Sequence, residues 1–201
     1  MIDWESLLRD APTGFDASAQ DRDQLERSAG PGASIYGEIL PQAARRLLRW
    51  FALDRDDVFA DLGSGAGRLV IQAACETPVG RALGIELSAD RHRAALAARR
   101  TIAAAMPDPA RWLARVELRN EDLRHSDLRA VTHAWLAATT WSAALLADAL
   151  RQLDAQATRL RTLVVTRPLP PPWDRRFPAR GEFDLDMSWA PKVRVHVRRR
   201  A

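Results

Sequence analysis

The sequence predicts an α/β protein built on one seven-stranded, mostly parallel sheet with helices on both faces. Between residues 58 and 166, short apolar segments alternate with segments whose apolar residues recur at helical spacing. A glycine-rich turn joins the first apolar segment to the helix that follows it. Near the end of the chain, residues 181–189 and 193–197 alternate apolar and polar side chains. Strand–helix alternation is typical of parallel sheets, and the final pair predicts an antiparallel hairpin at the sheet edge.

The first part of the chain predicts a helical N-terminal appendage, residues 1–33, ahead of a main domain over residues 34–201. The appendage is polar, and a charged segment over residues 17–28 ends at a Gly-Pro-Gly break. We expect a short helix, a loop and a charged helix there. Beyond the break, apolar residues recur at helical spacing up to Phe51, with Pro41 tolerated at a helix start. This amphipathic helix leads to the first strand.

The remaining elements follow from changes of periodicity and from glycine or proline punctuation. The five parallel strands are expected at residues 58–62, 82–85, 116–118, 132–137 and 160–166. The helices among them are expected at residues 68–75, 91–106 and 142–153. A proline-rich segment over residues 168–172 cannot continue a helix or a central strand, and it therefore separates the parallel part from the terminal hairpin.

The composition excludes several classes of protein. A chain of 201 residues suits one domain with an appendage, and no stretch reaches the roughly 20 apolar residues of a membrane span. The N-terminus lacks the basic start and apolar run of a secretory signal. Cys75 is the only cysteine, which excludes a disulfide framework and a cysteine-based zinc site. We therefore expect no membrane contact and a cytoplasmic location.

The basic charge is carried almost wholly by arginine. The net charge is +4 and the isoelectric point about 10.4, while Lys192 is the only lysine. Such a bias often follows genome base composition rather than function. A second interpretation is that the arginines of residues 198–200 attract nucleic acid or another acidic partner. The pattern carries no prediction of the oligomeric state.

The glycine-rich turn places Gly63, Gly65 and Gly67 at every second position, just after Asp61. This spacing differs from the G-x-G-x-x-G pattern that binds the pyrophosphate of dinucleotides. Residues without a Cβ let the backbone approach a ligand closely. We expect the amides of the turn to hold a carboxylate and Asp61 to accept a hydrogen bond from an amine. The turn therefore suits an amino acid moiety.

Glu86 ends the next predicted strand. A carboxylate at this place accepts hydrogen bonds from both hydroxyls of a ribose and disfavours a ribose phosphate. An amino acid moiety and a ribose together describe S-adenosyl-L-methionine, which we expect as the cofactor. The alternative is an ordinary strand-to-helix turn, with Asp61 and Glu86 as surface charges. The strand before the turn, the helix after it and the acid at the end of the next strand favour the cofactor.

This arrangement resembles the class I S-adenosylmethionine-dependent methyltransferases over roughly residues 37–198. The resemblance implies a Rossmann-like sheet, and the terminal antiparallel pair is similar to that family as well. It also implies that an acidic residue after the third strand bonds the adenine amino group. Asp122 is the expected residue, with Glu121 as the alternative one position earlier. From the residues alone, a solvated charged turn explains this segment equally well.

The segment Tyr36-Gly37-Glu38, followed by an apolar pair and Pro41, lies about twenty residues before the glycine turn. It resembles the loop over the cofactor in histone lysine methyltransferases of the disruptor-of-telomeric-silencing type, which carry a similar Tyr-Gly-Glu before the same Asp-Leu-Gly-Ser-Gly run. The resemblance implies that Tyr36 and Glu38 close over the cofactor. The alternative is that Tyr36 packs as a hydrophobic staple and Gly37 makes a turn.

The chain departs from that family after the fourth strand. The family usually shows Asn-Asn-Phe there, whereas this chain has Ala-Ala-Thr-Thr-Trp over residues 137–141. Trp141 is expected to form an aromatic wall of the acceptor pocket, and Thr139 or Thr140 to supply a hydrogen bond. Because these asparagines form part of the lysine channel in that family, their absence affects the prediction of a histone acceptor more than the prediction of the cofactor.

Methyl transfer to an amine is an in-line displacement that needs alignment and a neutral nucleophile, and it requires no dedicated base or metal. None of the four histidines is paired by spacing with an acid in a catalytic or metal arrangement. We therefore expect an S-adenosylmethionine-dependent protein lysine N-methyltransferase with a protein acceptor. Two alternatives stay open. One is a methyltransferase of small molecules or nucleic acids, and the other is an inactive cofactor-binding interaction module.

Overall fold

The computed structural model describes residues 3–9 and 11–200, and its centre is a seven-stranded sheet in the order β3-β2-β1-β4-β5-β7-β6. The first five strands are parallel to one another, and β7 is antiparallel to both β5 and β6. The predicted fold class is therefore confirmed. The strands are β1 (Val58–Leu62), β2 (Arg81–Glu86), β3 (Val116–Asn120), β4 (His133–Leu136), β5 (Thr162–Val165), β6 (Ala179–Leu185) and β7 (Val193–Arg198).

Eight α-helices are described, together with 3-10 turns at Gly14–Asp16 and Leu123–His125. The helices are α1 (Trp4–Leu7), α2 (Ala19–Ala29), α3 (Pro41–Phe51), α4 (Arg68–Glu76), α5 (Ala89–Ala105), α6 (Pro109–Leu113), α7 (Ala143–Gln156) and α8 (Trp173–Arg176). Serine side chains cap several N-termini, as at Ser88 of α5, whose hydroxyl accepts from the Arg91 amide. Pro41 occupies the first turn of α3, as predicted.

The sheet is buried on both faces, which explains why its strands read as apolar runs. Neighbouring residues of one strand pack into the two apolar cores on opposite faces of the sheet. On β1, for example, Phe59 packs with α3 and α4, whereas Ala60 packs with α7. The parallel strands therefore share one edge, formed by their carboxyl ends, where ligand sites of such folds lie.

The N-terminal segment contacts the sheet domain directly. Trp4 and Leu8 are buried in the same core as α3 and α4. The Asp21 carboxylate of α2 accepts hydrogen bonds from the Ser88 hydroxyl and the Ala89 amide at the start of α5. A boundary at residue 33 stays a prediction from the sequence, but the two parts share a core and capping hydrogen bonds.

The terminal hairpin is shorter than predicted. Strand β6 ends at Leu185, whereas the alternation extends to Trp189. The reason is a tertiary contact, because the segment after β6 pairs with the loop before α3. The Leu40 amide donates to the Asp186 carbonyl at 3.1 Å, and the Ser188 amide donates to the Glu38 carbonyl at 2.8 Å. Strand β5 is also shorter than its apolar run.

The helices within residues 3–9 and 11–200 include none that is both long and apolar enough to cross a membrane.

Candidate functional site

Two adjoining cavities open at the carboxyl edge of the sheet, the larger of about 260 Å³ and the smaller of about 40 Å³. Tyr36, Gly63, Glu86, Asp122 and the segment 139–141 line the larger one. Tyr36 and Gly63 also line the smaller one, together with the predicted residues Glu38, Asp61 and Gly65. The fold therefore brings every predicted site residue except Gly67 to one place. These residues come from segments up to about a hundred residues apart in the chain.

Gly67 lies outside both cavities, unlike the other residues predicted to contact the cofactor. Its φ of 70° is left-handed, and a Cβ there would stand 3.0 Å from the Cβ of Ala95 and 3.3 Å from a methyl of Leu118. Glycine is needed at this position because α4 starts against α5 and β3. Its function is packing.

Gly63 and Gly65 do border the cavities, and both have left-handed backbone, with φ of 86° and 53°. A Cβ on Gly65 would overlap the ring of Tyr36, and one on Gly63 would stand 3.1 Å from the indole of Trp141. Both glycines therefore leave room for aromatic side chains that reach across the turn. The immediate neighbours of this backbone are aromatic rings of the protein, and its close approach to a ligand stays a prediction.

The amides of the turn have partners within the protein, and their role toward a carboxylate stays a prediction. Those of Gly63 and Ser64 both donate to the Ile85 carbonyl at 2.9 Å. The Gly65 amide donates to the Glu86 carboxylate at 2.7 Å, and the Ala66 amide to the Tyr36 hydroxyl at 3.2 Å. These bonds hold the turn against β2 and the Tyr36 loop.

Arg68 supplies a cation that the sequence analysis missed. Its side chain lines the smaller cavity, and its Nε lies 3.3 Å from the Glu38 carboxylate. One Nη donates to the Leu8 carbonyl at 3.2 Å. Arg68 starts α4 directly after the turn, so its guanidinium is a cation in the lining of the smaller cavity that could bind a carboxylate. Its position just after the glycines was the available signal.

Asp61 is a buried carboxylate that lines the smaller cavity, with 4% of its surface exposed. No hydrogen-bond donor within the described residues reaches it. Burial, with a smaller contribution from the charge of Glu86, raises the pKa of Asp61 to about 8. A buried anion without a donor is unfavourable, so the site favours a cation next to Asp61. This agrees with its predicted role opposite an amine.

Glu86 is 6% exposed and lies at the end of β2, where it lines the larger cavity. It accepts from the Gly65 amide at 2.7 Å through one oxygen and from the Ser88 amide at 2.8 Å through the other. Burial raises its pKa, although these amides and Arg91 oppose the shift. A carboxylate offers about four acceptor positions, so each oxygen keeps one lone pair for a ligand.

Tyr36 covers the glycine turn. Its ring packs between Gly14 and Gly65, and its centroid lies 4.8 Å from that of Phe15. The hydroxyl donates to the Glu38 carboxylate and accepts from the Ala66 amide. Burial and the nearby carboxylates raise the pKa of Tyr36, so the hydroxyl stays protonated. The contact with Phe15 agrees with a packing role, and the hydroxyl bonds add a direct link to the turn.

Both members of the acidic pair after β3 reach the larger cavity. Asp122 caps the 3-10 turn through the Arg124 amide at 2.9 Å and pairs with the Arg124 guanidinium. Although burial opposes it, bonding to Arg124 lowers the pKa of Asp122. Glu121 lines the same wall and lies 3.4 Å from Arg119. The choice between the two as adenine ligand stays a prediction.

The segment after β4 forms the opposite side of the larger cavity. The Thr139 hydroxyl donates to the Thr166 hydroxyl at 2.9 Å, and Arg167 donates to the Trp141 carbonyl at 3.0 Å. The Thr140 carbonyl lies against Gly32, where a Cβ would collide with it. Thr166 and Arg167 thus hold this segment from the end of β5.

Trp189 is a further residue of the site that the sequence analysis missed. It lines both cavities, is 43% exposed and packs directly on Gly37. Leu25 and Ala29 of α2 contribute another wall of the larger cavity. The alternation of apolar and polar residues predicted that Trp189 lies on a strand. Its side chain reaches the site because this segment pairs with the Tyr36 loop instead.

Within the described part of the chain, no group of three or more His, Cys, Asp or Glu side chains is placed to hold a metal ion.

Residues 17–128, more than half of the chain, match the family model described as histone methylation protein DOT1. A histone-lysine N-methyltransferase, H3 lysine-79 specific, from Drosophila melanogaster is 32% identical over 72 residues, covering 36% of this chain and 4% of the relative. A protein-lysine N-methyltransferase from Saccharolobus islandicus is 41% identical over 56 residues, covering 28% of this chain and 35% of the relative. The chain therefore spans only a part of these relatives' length.

Among solved structures, an RNA methyltransferase from Salinibacter ruber in complex with S-adenosyl-L-homocysteine aligns with a TM-score of 0.53 at 25% identity. The alignment covers 78% of this chain and 88% of that one.

Proposed function

The chain belongs to the histone methylation protein DOT1 family, and on this premise we propose that it is an S-adenosyl-L-methionine-dependent methyltransferase that modifies lysine side chains of a protein. The observation that carries the proposal is the buried Asp61 carboxylate, which has no donor among the described residues and lies beside Glu86 under the Tyr36 loop. The lysine acceptor is supported by the family and by the protein-lysine N-methyltransferase of Saccharolobus islandicus.

The site residues fit the cofactor. Asp61 would bind the amine of its amino acid moiety, and Arg68 is the cation available for the carboxylate. Glu86 would bind the ribose hydroxyls through its remaining lone pairs, and Asp122 or Glu121 the adenine amino group. When bound, the cofactor would supply a methyl group on a sulfonium, and transfer of this group would leave a neutral thioether as the leaving group.

The protein's own contribution is to orient the acceptor amine and to exclude water. Trp141 and Trp189 line the larger cavity, and their indoles would border an aliphatic chain such as that of lysine. An amine with an ordinary pKa near 10.4 must lose a proton before it attacks, and transfer from water into an apolar channel favours its neutral form. No side chain needs to act as a dedicated base.

Calorimetry with S-adenosyl-L-methionine tests the cofactor. We expect the wild-type protein to bind and Glu86→Ala to lose measurable binding, because this carboxylate both accepts from the turn and faces the ligand. Asp23→Ala, an exposed carboxylate of α2, serves as the matched control and should bind like the wild type. Equal affinities for Glu86→Ala and the wild type would contradict the proposal.

A nucleic acid acceptor is the second candidate, because the structure from Salinibacter ruber is of an RNA methyltransferase and most of it aligns with this chain. Part of the basic C-terminus is occupied within the protein, since Arg198 is buried and Arg200 donates to the Asp154 and Ala157 carbonyls at 2.8 Å. Transfer of labelled methyl groups into a cell extract separates the two acceptors. Label removed by protease supports a protein acceptor, and label removed by nuclease supports RNA or DNA.

A protein that binds the cofactor but labels neither fraction would be an inactive cofactor-binding interaction module. The cytoplasmic location stays a prediction from the sequence.

A further inference from the structure

Arg91 is a buried cation that no predicted role accounts for. It lies in the first turn of α5, is 5% exposed and lines the larger cavity. Its guanidinium has no carboxylate within ion-pair distance among residues 3–9 and 11–200. Because burying a charge is unfavourable unless other groups solvate it, the surroundings of Arg91 must be arranged to hold it.

Three groups contact the guanidinium directly, and its charge also acts on the Glu86 carboxylate, whose pKa burial raises and this charge lowers. The Nε atom donates to the Gly14 carbonyl at 3.3 Å, and one Nη donates to the Ser34 carbonyl. The Cζ atom lies 4.7 Å from the centroid of the Tyr36 ring, a cation–π geometry. A planar guanidinium can donate along its edge and stack through its face at the same time, which a lysine ammonium cannot do.

These contacts join three separate parts of the site. Gly14 belongs to the first 3-10 turn. Ser34 and Tyr36 belong to the loop that covers the glycine turn, and Arg91 belongs to the sheet domain. Tyr36 in turn packs on Gly65 and accepts from the Ala66 amide. The position of Tyr36 over the glycine turn is therefore fixed on one side by Arg91 and on the other by the turn itself.

We propose that Arg91 is a positioning residue, which holds Tyr36 against the glycine turn and strengthens cofactor binding through Tyr36. The proposal rests on the proposed function. It differs from a purely structural role because the effect of Arg91 on binding must depend on the Tyr36 ring.

A double-mutant cycle on cofactor affinity measures this dependence. By calorimetry with S-adenosyl-L-methionine, Arg91→Met and Tyr36→Leu should each weaken binding by about tenfold or more, since each removes contacts of a charged group or of the covering ring. The Kd of the double variant should be at most about three times that of the single variant that binds more weakly. Arg100→Met, an exposed arginine of the same helix, should bind like the wild type.

Hydrogen–deuterium exchange of the ligand-free protein gives a second readout. Arg91→Met should speed exchange in peptides that cover residues 34–38 and 63–67, and leave those of β4 and β5 unchanged. Arg91→Lys keeps the charge without the planar geometry, so it should show the same local change if Arg91→Met fails to fold. Faster exchange throughout the protein, or nowhere, would overturn the proposal.

The outcomes of the cycle separate this proposal from the proposed function. A wild-type protein that binds no cofactor overturns both. A wild-type protein that binds, with single-variant losses that multiply in the double variant, overturns only the role of Arg91, since Arg91 would then act independently of Tyr36. The role of Arg91 is supported if the double variant loses less affinity than the product of the two single-variant losses and the exchange changes are local.

Discussion

At the scale of single residues, the Asp61 carboxylate lowers the stability of the ligand-free protein, although it is proposed to bind the cofactor. Its pKa is about 8 in the folded protein and 3.8 in the reference state, so the stability of the ligand-free protein falls as pH rises from about 4 through 8. Asp61→Asn removes this ionisation. We expect the variant to be more stable than the wild type by an amount that grows between pH 6 and pH 9, while it loses cofactor binding. Thermal unfolding at both pH values measures the difference.

The control for this prediction is Asp56→Asn, which changes an exposed carboxylate near the opposite end of β1. In this variant, the difference in stability between pH 6 and pH 9 should equal that of the wild type. A wild-type protein and an Asp61→Asn variant with parallel pH profiles would show that Asp61 does not carry this ionisation.

At the scale of elements, the segment between β6 and β7 closes one side of the site. It pairs with the Tyr36 loop through Asp186 and Ser188 and places Trp189 across both cavities. We expect Trp189→Ala to lower methyl transfer by about tenfold while cofactor affinity changes by less than about threefold, because in the proposed function the indole borders the acceptor lysine, whereas Asp61 and Glu86 hold the cofactor. Steady-state rates and calorimetry give the two values, and Trp50→Ala is the control for an exposed indole far from the site.

At the scale of the whole molecule, the N-terminal segment and the sheet domain share one core. Leu8 is fully buried there, whereas its neighbour Leu7 is 38% exposed. We expect Leu8→Ala to lower the free energy of unfolding by about 2 to 5 kcal/mol and Leu7→Ala by less than about 0.5 kcal/mol. Urea unfolding followed by far-UV circular dichroism should then shift as a single transition. A Leu8→Ala curve equal to that of the wild type would indicate an independent appendage.

The order of elements and most of the site were predictable from the sequence, because they depend on local patterns. Apolar runs, the turn of alternate glycines and the acid at the end of β2 are each readable within about thirty residues. Parallel strands bring their carboxyl ends to one edge, so the sequence alone sufficed to place Asp61, Glu86 and Asp122 together.

The tertiary structure decided what the patterns could not express. The amides of the turn are bonded to Ile85, Glu86 and Tyr36, and Gly67 serves packing, because these partners come from distant parts of the chain. Trp189 and Arg91 enter the site for the same reason. A local sequence specifies periodicity and turn chemistry, whereas the partner of a buried polar group depends on which segments the complete fold brings next to it.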